Sequence, residues 1–169
     1  MLYAGIGSRQ TPQNVMEAMT DIAQQLGAQE WTLRSGHAGG ADMAFELGAL
    51  KTCSPMEIFL PWAGFNGAPR TKEYKVPDFN AKLMDIAAAH HPRWNLLSDG
   101  AKKLHARNVC QILGDKFEEP VNMVICWTKD GLKGGGTGQA VRIANSYGIP
   151  VFDLALPSDC IALMKHVNK

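Results

Sequence analysis

At 169 residues the chain has the length of one domain, long enough to bury a sizeable core. Its 17 basic and 16 acidic residues leave a net charge of +1, which excludes the broad basic field that drives non-specific nucleic-acid binding. Cys53, Cys110, Cys126 and Cys160 are too scattered for a metal framework, the opening MLYAGIGSRQ is no signal peptide, and no apolar run nears the roughly 20 residues that cross a bilayer, so a reduced, cytoplasmic protein is expected, with no metal, cofactor or membrane segment.

Residues 2–6 read as a short apolar strand closed by Gly7, Ser8 and Arg9. Thr11 then offers a helix cap and Pro12 a first helical residue. Val15, Met19, Ile22 and Leu26 recur at helical spacing up to Gly27, which is placed to end the helix in a left-handed turn. The same grammar repeats in a strand over 31–34, a turn holding Ser35, Gly36, His37, Ala38, Gly39 and Gly40, and a helix carrying Ala41, Ala44, Phe45 and Gly48. Two strand–helix units in succession predict a parallel sheet. Residues 57–60 predict a third strand, stopped by Pro61, and the aperiodic stretch 61–77 predicts a lid or surface loop.

A helix is predicted over 78–89 and a break over 90–94. A further helix starts at Ser98 with Ala101, Leu104, Val109, Ile112 and Leu113 as its apolar stripe. Asn108 falls inside that stripe and needs partners there, whereas Arg107 falls outside it. Residues 121–127 are the most apolar segment and predict a central strand buried on both faces. It leads through Thr128 into a loop of Lys129, Asp130, Gly131, Leu132, Lys133, Gly134, Gly135, Gly136, Thr137 and Gly138. The next helix places Ala140, Val141, Ala144 and Tyr147 on one face and ends near Gly148. A last strand over 150–154 and a helix over 157–167, with Ile161, Met164 and Val167 inward, complete the chain. This alternation predicts one α/β domain over 1–169, Rossmann-like, with a mainly parallel sheet flanked by helices.

A parallel sheet gathers its βα turns beyond the carboxyl ends of its strands, where helix N-termini point free N–H groups. Glycine lets a phosphate approach that backbone closely, and the helix dipole favours an anion. Three glycine-bearing turns fall at that edge, and the turn from Gly134 to Gly138 is the strongest, because it follows the most apolar strand and adds the Thr137 hydroxyl. None of them matches the phosphate loop of nucleoside triphosphatases or the usual dinucleotide fingerprint.

The segments GIGSRQTP, SGHAGGADMAFELGAL, KKLHARNVCQILG and GGGTGQAVRIANSYGIPVFDL together resemble the SLOG superfamily, across nearly the whole chain. That superfamily includes the DNA-processing protein A (DprA/Smf) family and the Lonely Guy phosphoribohydrolases. The resemblance implies a nucleotide pocket. It makes Gly7, Ser8 and Arg9 the first turn, and Ser35, Gly36, Gly39, Gly40 and Asp42 the second. Leu104, His105, Ala106, Arg107 and Asn108 are similar both to the M-H-x-R-K of the Lonely Guy enzymes and to the R-N of the DNA-processing family, and Gly135, Gly136 and Thr137 resemble the phosphate turn of both. It also implies a homo-oligomer. One departure matters: aligning Gly136 and Thr137 with the last G-T of the Lonely Guy motif puts Ala140 where those enzymes carry a glutamate for N-glycosidic cleavage.

Arg107 is the leading ligand candidate, since a guanidinium can grip phosphate with two parallel hydrogen bonds. Arg9 is a second phosphate or base contact, and Asn108 braces the loop backbone. Asp42 suits helix capping, ribose contact or catalysis, and Glu46 lies one turn further along the same face, which makes the pair the weak catalytic candidates. The ligand set is completed by Thr128 and Gly138. Trp62, Phe65 and Trp94 suit either base stacking or core closure, and the histidines receive no catalytic role. Binding of a nucleotide or nucleotide-derived phosphorylated ligand, for sensing or sequestering, is the favoured function. Single-stranded DNA binding, drawing on Arg9, Lys51, Arg70, Lys72, Lys75, Arg93, Lys102, Lys103 and Arg107, stays open, as does N-glycosidase activity on nucleoside monophosphates.

Overall fold

Six parallel strands alternate with helices in a sheet ordered β4-β3-β2-β1-β5-β6. The structure, a computed structural model, describes residues 1–131 and 133–167, so Leu132 of the glycine-rich loop lies outside the described residues. The strands are β1 (Leu2–Gly5), β2 (Thr32–Ser35), β3 (Met56–Phe59), β4 (Tyr74–Lys75), β5 (Met123–Cys126) and β6 (Val151–Asp153). Between and after them run α1 (Gln13–Ala28), α2 (Ala41–Lys51), α3 (Ala81–Ala89), α4 (Asp99–Leu113), α5 (Gly135–Ser146) and α6 (Pro157–Val167). Every strand pairing is parallel, as the alternation of elements predicts. No helix among the described residues is long and apolar enough to cross a membrane.

Side chains on successive strand positions point to opposite faces, and this sheet buries both. Tyr3, Leu33, Ile58, Met123 and Ile125 pack under α1, α2 and α6 with Met19, Leu26, Phe45 and Leu163. Ala4, Phe59, Val124 and Cys126 pack under α3, α4 and α5 with Leu83, Val109, Ile112, Val141 and Ile143. Each large apolar side chain so buried contributes about 1.5–3 kcal/mol. The tightest approach is between α1 and α2, where a Cβ on Gly48 would lie 2.2 Å from the Thr20 carbonyl oxygen. Thr20 Oγ1 locks that approach by donating to Ala44 O at 3.0 Å.

Several local details differ from the sequence reading. Thr11 does not cap α1: its hydroxyl donates to Ser8 O at 2.6 Å and braces the first turn instead. The left-handed residue after α1 is Glu30 (φ 62), because Gly27 is needed for packing, with a Cβ there falling 1.9 Å from Ser54 Oγ. α3 begins at Ala81, capped by Asn80 Oδ1, which accepts from Leu83 N at 3.0 Å. On α5, Tyr147 is half exposed rather than in the apolar face. On α6, Ile161 and Met164 are exposed and Leu163 is buried, since Asp159 accepts from Asp153 N at 3.0 Å and so sets the rotation of the helix. The stretch 61–77 carries a 3-10 turn at Phe65–Gly67 and then β4, which pairs with β3 as the edge of the sheet.

Candidate functional site

The chain leaves β1 for β2 on one side and β5 for β6 on the other, so the strand order reverses between β1 and β5. Open α/β sheets bind ligands at such a switch point. A cleft of about 550 Å³ opens there. The turn after β1 lines it with Ile6, Gly7, Ser8, Arg9 and Gln10, and the segment after β2 with Ala38 and Asp42. From α4 come Leu104, His105, Arg107, Asn108 and Gln111, and from α5 come Gly134, Gly135, Gly136, Thr137 and Ala140.

α5 starts without a side-chain cap, and its first residue, Gly135, has φ +64. A change of hand just before a helix turns successive N–H groups to one side and makes an anion-binding concavity. The helical ladder begins with Gly138 N donating to Gly134 O at 3.0 Å, and the N–H groups of Gly136 and Thr137 fall in the first turn, where a helix has no intrahelical acceptor for them. Asn108 anchors the turn from α4, its Nδ2 donating to Gly136 O at 3.3 Å and to Gln139 Oε1 at 3.0 Å. Gln111, with its amide turned to suit its neighbours, donates to Asn108 Oδ1 at 3.1 Å and accepts from Gly36 N at 2.9 Å.

Arg107 is buried, contrary to its place outside the apolar stripe of α4. The flank of α4 meets the turn after β2, and Nη1 donates to Gly36 O at 2.6 Å and to Phe59 O at 3.3 Å. Its Nη1 also stands 3.8 Å from Asp42 Oδ2. The guanidinium therefore ties two strand ends together while presenting an edge to the cleft. Gly36 makes room for it, since a Cβ there would lie 1.4 Å from Nη1.

Asp42 is the only carboxylate lining the cleft among the described residues. Burial pushes its pKa up to about 6, against the pull of Arg107 and of the Ala38 N–H. Glu46 lies on the same helix but outside the cleft. Its Oε2 faces His37 Nδ1 at 2.8 Å and accepts from Tyr74 OH at 3.2 Å, and burial raises its pKa although His37 opposes the shift. The two carboxylates share a helix face without converging on one space. Burial likewise lowers the pKa of His105, helped by the charges of His91, Arg107 and Arg142 and opposed by its bond with Gln139.

Of the residues read from sequence, Gly7, Ser8, Arg9, Asp42, Arg107, Asn108, Gly134, Gly135, Gly136 and Thr137 meet at the cleft. Ser35, Gly36, Gly39, Gly40, Thr128 and Gly138 do not line it. Ser35 Oγ donates to Gly5 O at 2.7 Å, beneath the turn. Gly40 (φ +83) lets the start of α2 pass the first turn, where a Cβ would lie 2.6 Å from Ser8 O. The Thr128 hydroxyl is engaged by Asp153 and by Lys133 N, and Gly138 is packed against Lys133 O. His105, Gln111, Leu104 and Gln10 were missed. For the first three the signal was present: positions 104, 105, 108 and 111 share one side of α4, so the side that carries Asn108 carries them too.

No protein-family model matches the chain, and no curated protein matches it. Among solved structures, DNA processing protein A from Helicobacter pylori, described for its mode of binding single-stranded DNA, aligns with 90% of this chain at a TM-score of 0.57 and 18% identity. This chain covers 64% of that one. The Moco carrier protein of Chlamydomonas rheinhardtii aligns with 98% of this chain, covers 82% of its own length, and gives a TM-score of 0.49 at 15% identity. The likeness to DNA processing protein A is one of fold.

Proposed function

We propose that the cleft binds a nucleotide or nucleotide-derived phosphorylated small molecule, in the manner of SLOG proteins, and that the chain senses or sequesters it. The observation that carries this reading is the start of α5, left-handed at Gly135 and without a side-chain cap, whose first-turn residues line a cleft at the strand-order switch. The phosphate sits on Gly135, Gly136 and Thr137. Arg9 closes over it from the first turn, Arg107 supplies positive charge from below, and the sugar or base lies towards Ala38 and Asp42. Ala140, lining the cleft where a glutamate would be needed, supports binding without turnover.

Single-stranded DNA, the ligand of the Helicobacter pylori protein, is the alternative. The basic residues that a DNA groove would need are dispersed, which favours the small molecule. Lys51 ends α2, Lys75 is held by Glu57 at 3.0 Å on the sheet edge, and Arg107 is buried. Self-association is supported by Met43, Leu47 and Leu50, an apolar strip that α2 leaves exposed.

Calorimetric titration with ribonucleoside 5′-monophosphates, their parent nucleosides and a labelled oligothymidine at two salt concentrations tests the reading. Saturable 1:1 binding of a monophosphate, with the nucleoside much weaker and no free base released, is the expected result. Equal binding of nucleoside and monophosphate would remove the phosphate seat. Tighter oligonucleotide binding with a steep salt dependence would transfer the site to DNA, and release of free base would make the chain an enzyme.

A further inference from the structure

Gln139 is fully buried on α5, and its amide is fixed at both ends. Its Nε2 donates to Ala87 O at 3.0 Å, a group that can only accept, so its Oε1 faces donors. Oε1 accepts from Asn108 Nδ2, whose own orientation is fixed by Gly136 O, and it stands 3.0 Å from His105 Nδ1. A carbonyl oxygen cannot donate, so the proton in that contact belongs to Nδ1. The neutral imidazole then carries a bare lone pair on Nε2. No protein donor meets Nε2 among the described residues, and His105 lines the cleft. Its Cε1, the carbon between the two nitrogens, would lie 4.0 Å from a Cβ on Gly136, beside the start of α5.

We infer that His105 is a ligand contact that presents Nε2 as a hydrogen-bond acceptor to a ribose hydroxyl of the phosphorylated ligand, so that the cleft selects ribose over deoxyribose. The inference rests on the phosphate seat proposed above. It follows from a chain of groups with no freedom to reverse: Ala87 O orients Gln139, and Gln139 orients the His105 tautomer. The start of α5 presents N–H donors, and His105 beside it supplies an acceptor that a sugar hydroxyl can donate to. Burial favours its neutral form, as do the neighbouring charges of His91, whose ring centroid is 4.4 Å away, Arg107 on the same helix and Arg142 on α5.

The test uses AMP and its 2′-deoxy and 3′-deoxy counterparts against the wild type, His105→Phe and His105→Gln. The wild type is expected to lose about tenfold in affinity when one of the two hydroxyls is absent, the effect of one hydrogen bond. His105→Phe should bind all three alike, while competition by inorganic phosphate is unchanged. His105→Gln, which can place an amide oxygen near the Nε2 position, should recover part of the preference. A full ribose preference in His105→Phe, or equal binding of all three compounds by the wild type, overturns the inference and leaves the phosphate seat standing. Absence of AMP and phosphate binding in the wild type defeats the seat itself. Independently of any ligand, long-range 15N–1H spectra of the free protein must place the proton on Nδ1, and a proton on Nε2 refutes the tautomer on which the inference depends.

Discussion

Replacing Gly136 by aspartate should raise stability and destroy anion binding, two effects of opposite sign from one side chain. A Cβ at this position meets nothing closer than Asn108 Nδ2 at 3.8 Å and His105 Cε1 at 4.0 Å, so the first carbon of a new side chain is accommodated at ordinary contact distance. Replacing a helical glycine gains roughly 0.5 kcal/mol through propensity and the lower entropy of the unfolded chain. A carboxylate in the first turn gains about another 0.5 kcal/mol from the helix dipole. For a chain of this length, about 1 kcal/mol raises Tm by roughly 2–4 °C. Against this, a carboxylate about 5 Å from a bound phosphate, at an effective dielectric of about 20, opposes it by about 3 kcal/mol, or roughly 100-fold in Kd. Thermal unfolding and calorimetric titration with AMP read the two effects separately. Gly136→Ala is the neutral control, expected to keep much of the stability gain and to bind within about threefold of wild type. Unchanged AMP affinity in Gly136→Asp would refute the placement of the phosphate, and an equal loss in Gly136→Ala would replace charge by crowding as its cause.

Gly36→Ala should expel the Arg107 guanidinium from its carbonyls, lowering stability by about 2–4 kcal/mol in urea unfolding and AMP affinity with it; normal values for both would show that Arg107 braces nothing. Gly48→Ala, which drives a methyl group against Thr20 O far from the cleft, should lower stability by about 1–3 kcal/mol yet leave AMP affinity intact, which separates general destabilisation from damage to the site. Asp42 has a folded pKa raised from 3.8 to about 6, so the folded state keeps a proton that the unfolded chain releases. That stability is fully present below about pH 4 and is lost as the pH rises through about 6, an effect of about 3 kcal/mol. The difference in unfolding free energy between wild type and Asp42→Asn should therefore fall by about that amount from pH 4 to pH 7, and a flat difference would exclude the shift. Leu47→Lys, in the exposed strip of α2, should convert a sedimenting oligomer to monomer, and a monomeric wild type would remove the self-association.

The architecture was legible because its signals are local. Short apolar runs followed by glycine turns and periodic helices specify strand–helix units, and units joined in that way leave little choice but a parallel sheet. The cleft was legible in outline for the same reason, since βα turns of a parallel sheet share one edge. Ten of the sixteen ligand candidates line it. The exceptions come from the same turns: Thr128 and Gly138, for instance, flank the glycine turn before α5 in sequence, yet one is taken by Asp153 on β6 and the other by packing against Lys133.

By itself, then, the sequence determined the order and type of the elements and the turns at which a phosphate could sit. Periodicity, capping and glycine conformations act over a few residues, and these outcomes need nothing more. Tertiary structure alone decided what Arg107 does, because a helical wheel finds its side of α4 but not the turn of β2, 71 residues away, that packs there. It also decided the state of His105, whose proton is assigned by a glutamine 34 residues further on and a carbonyl at the end of α3. Burial and hydrogen-bond polarity depend on which groups arrive from distant parts of the chain, and that is settled only when the sheet has brought them to one edge.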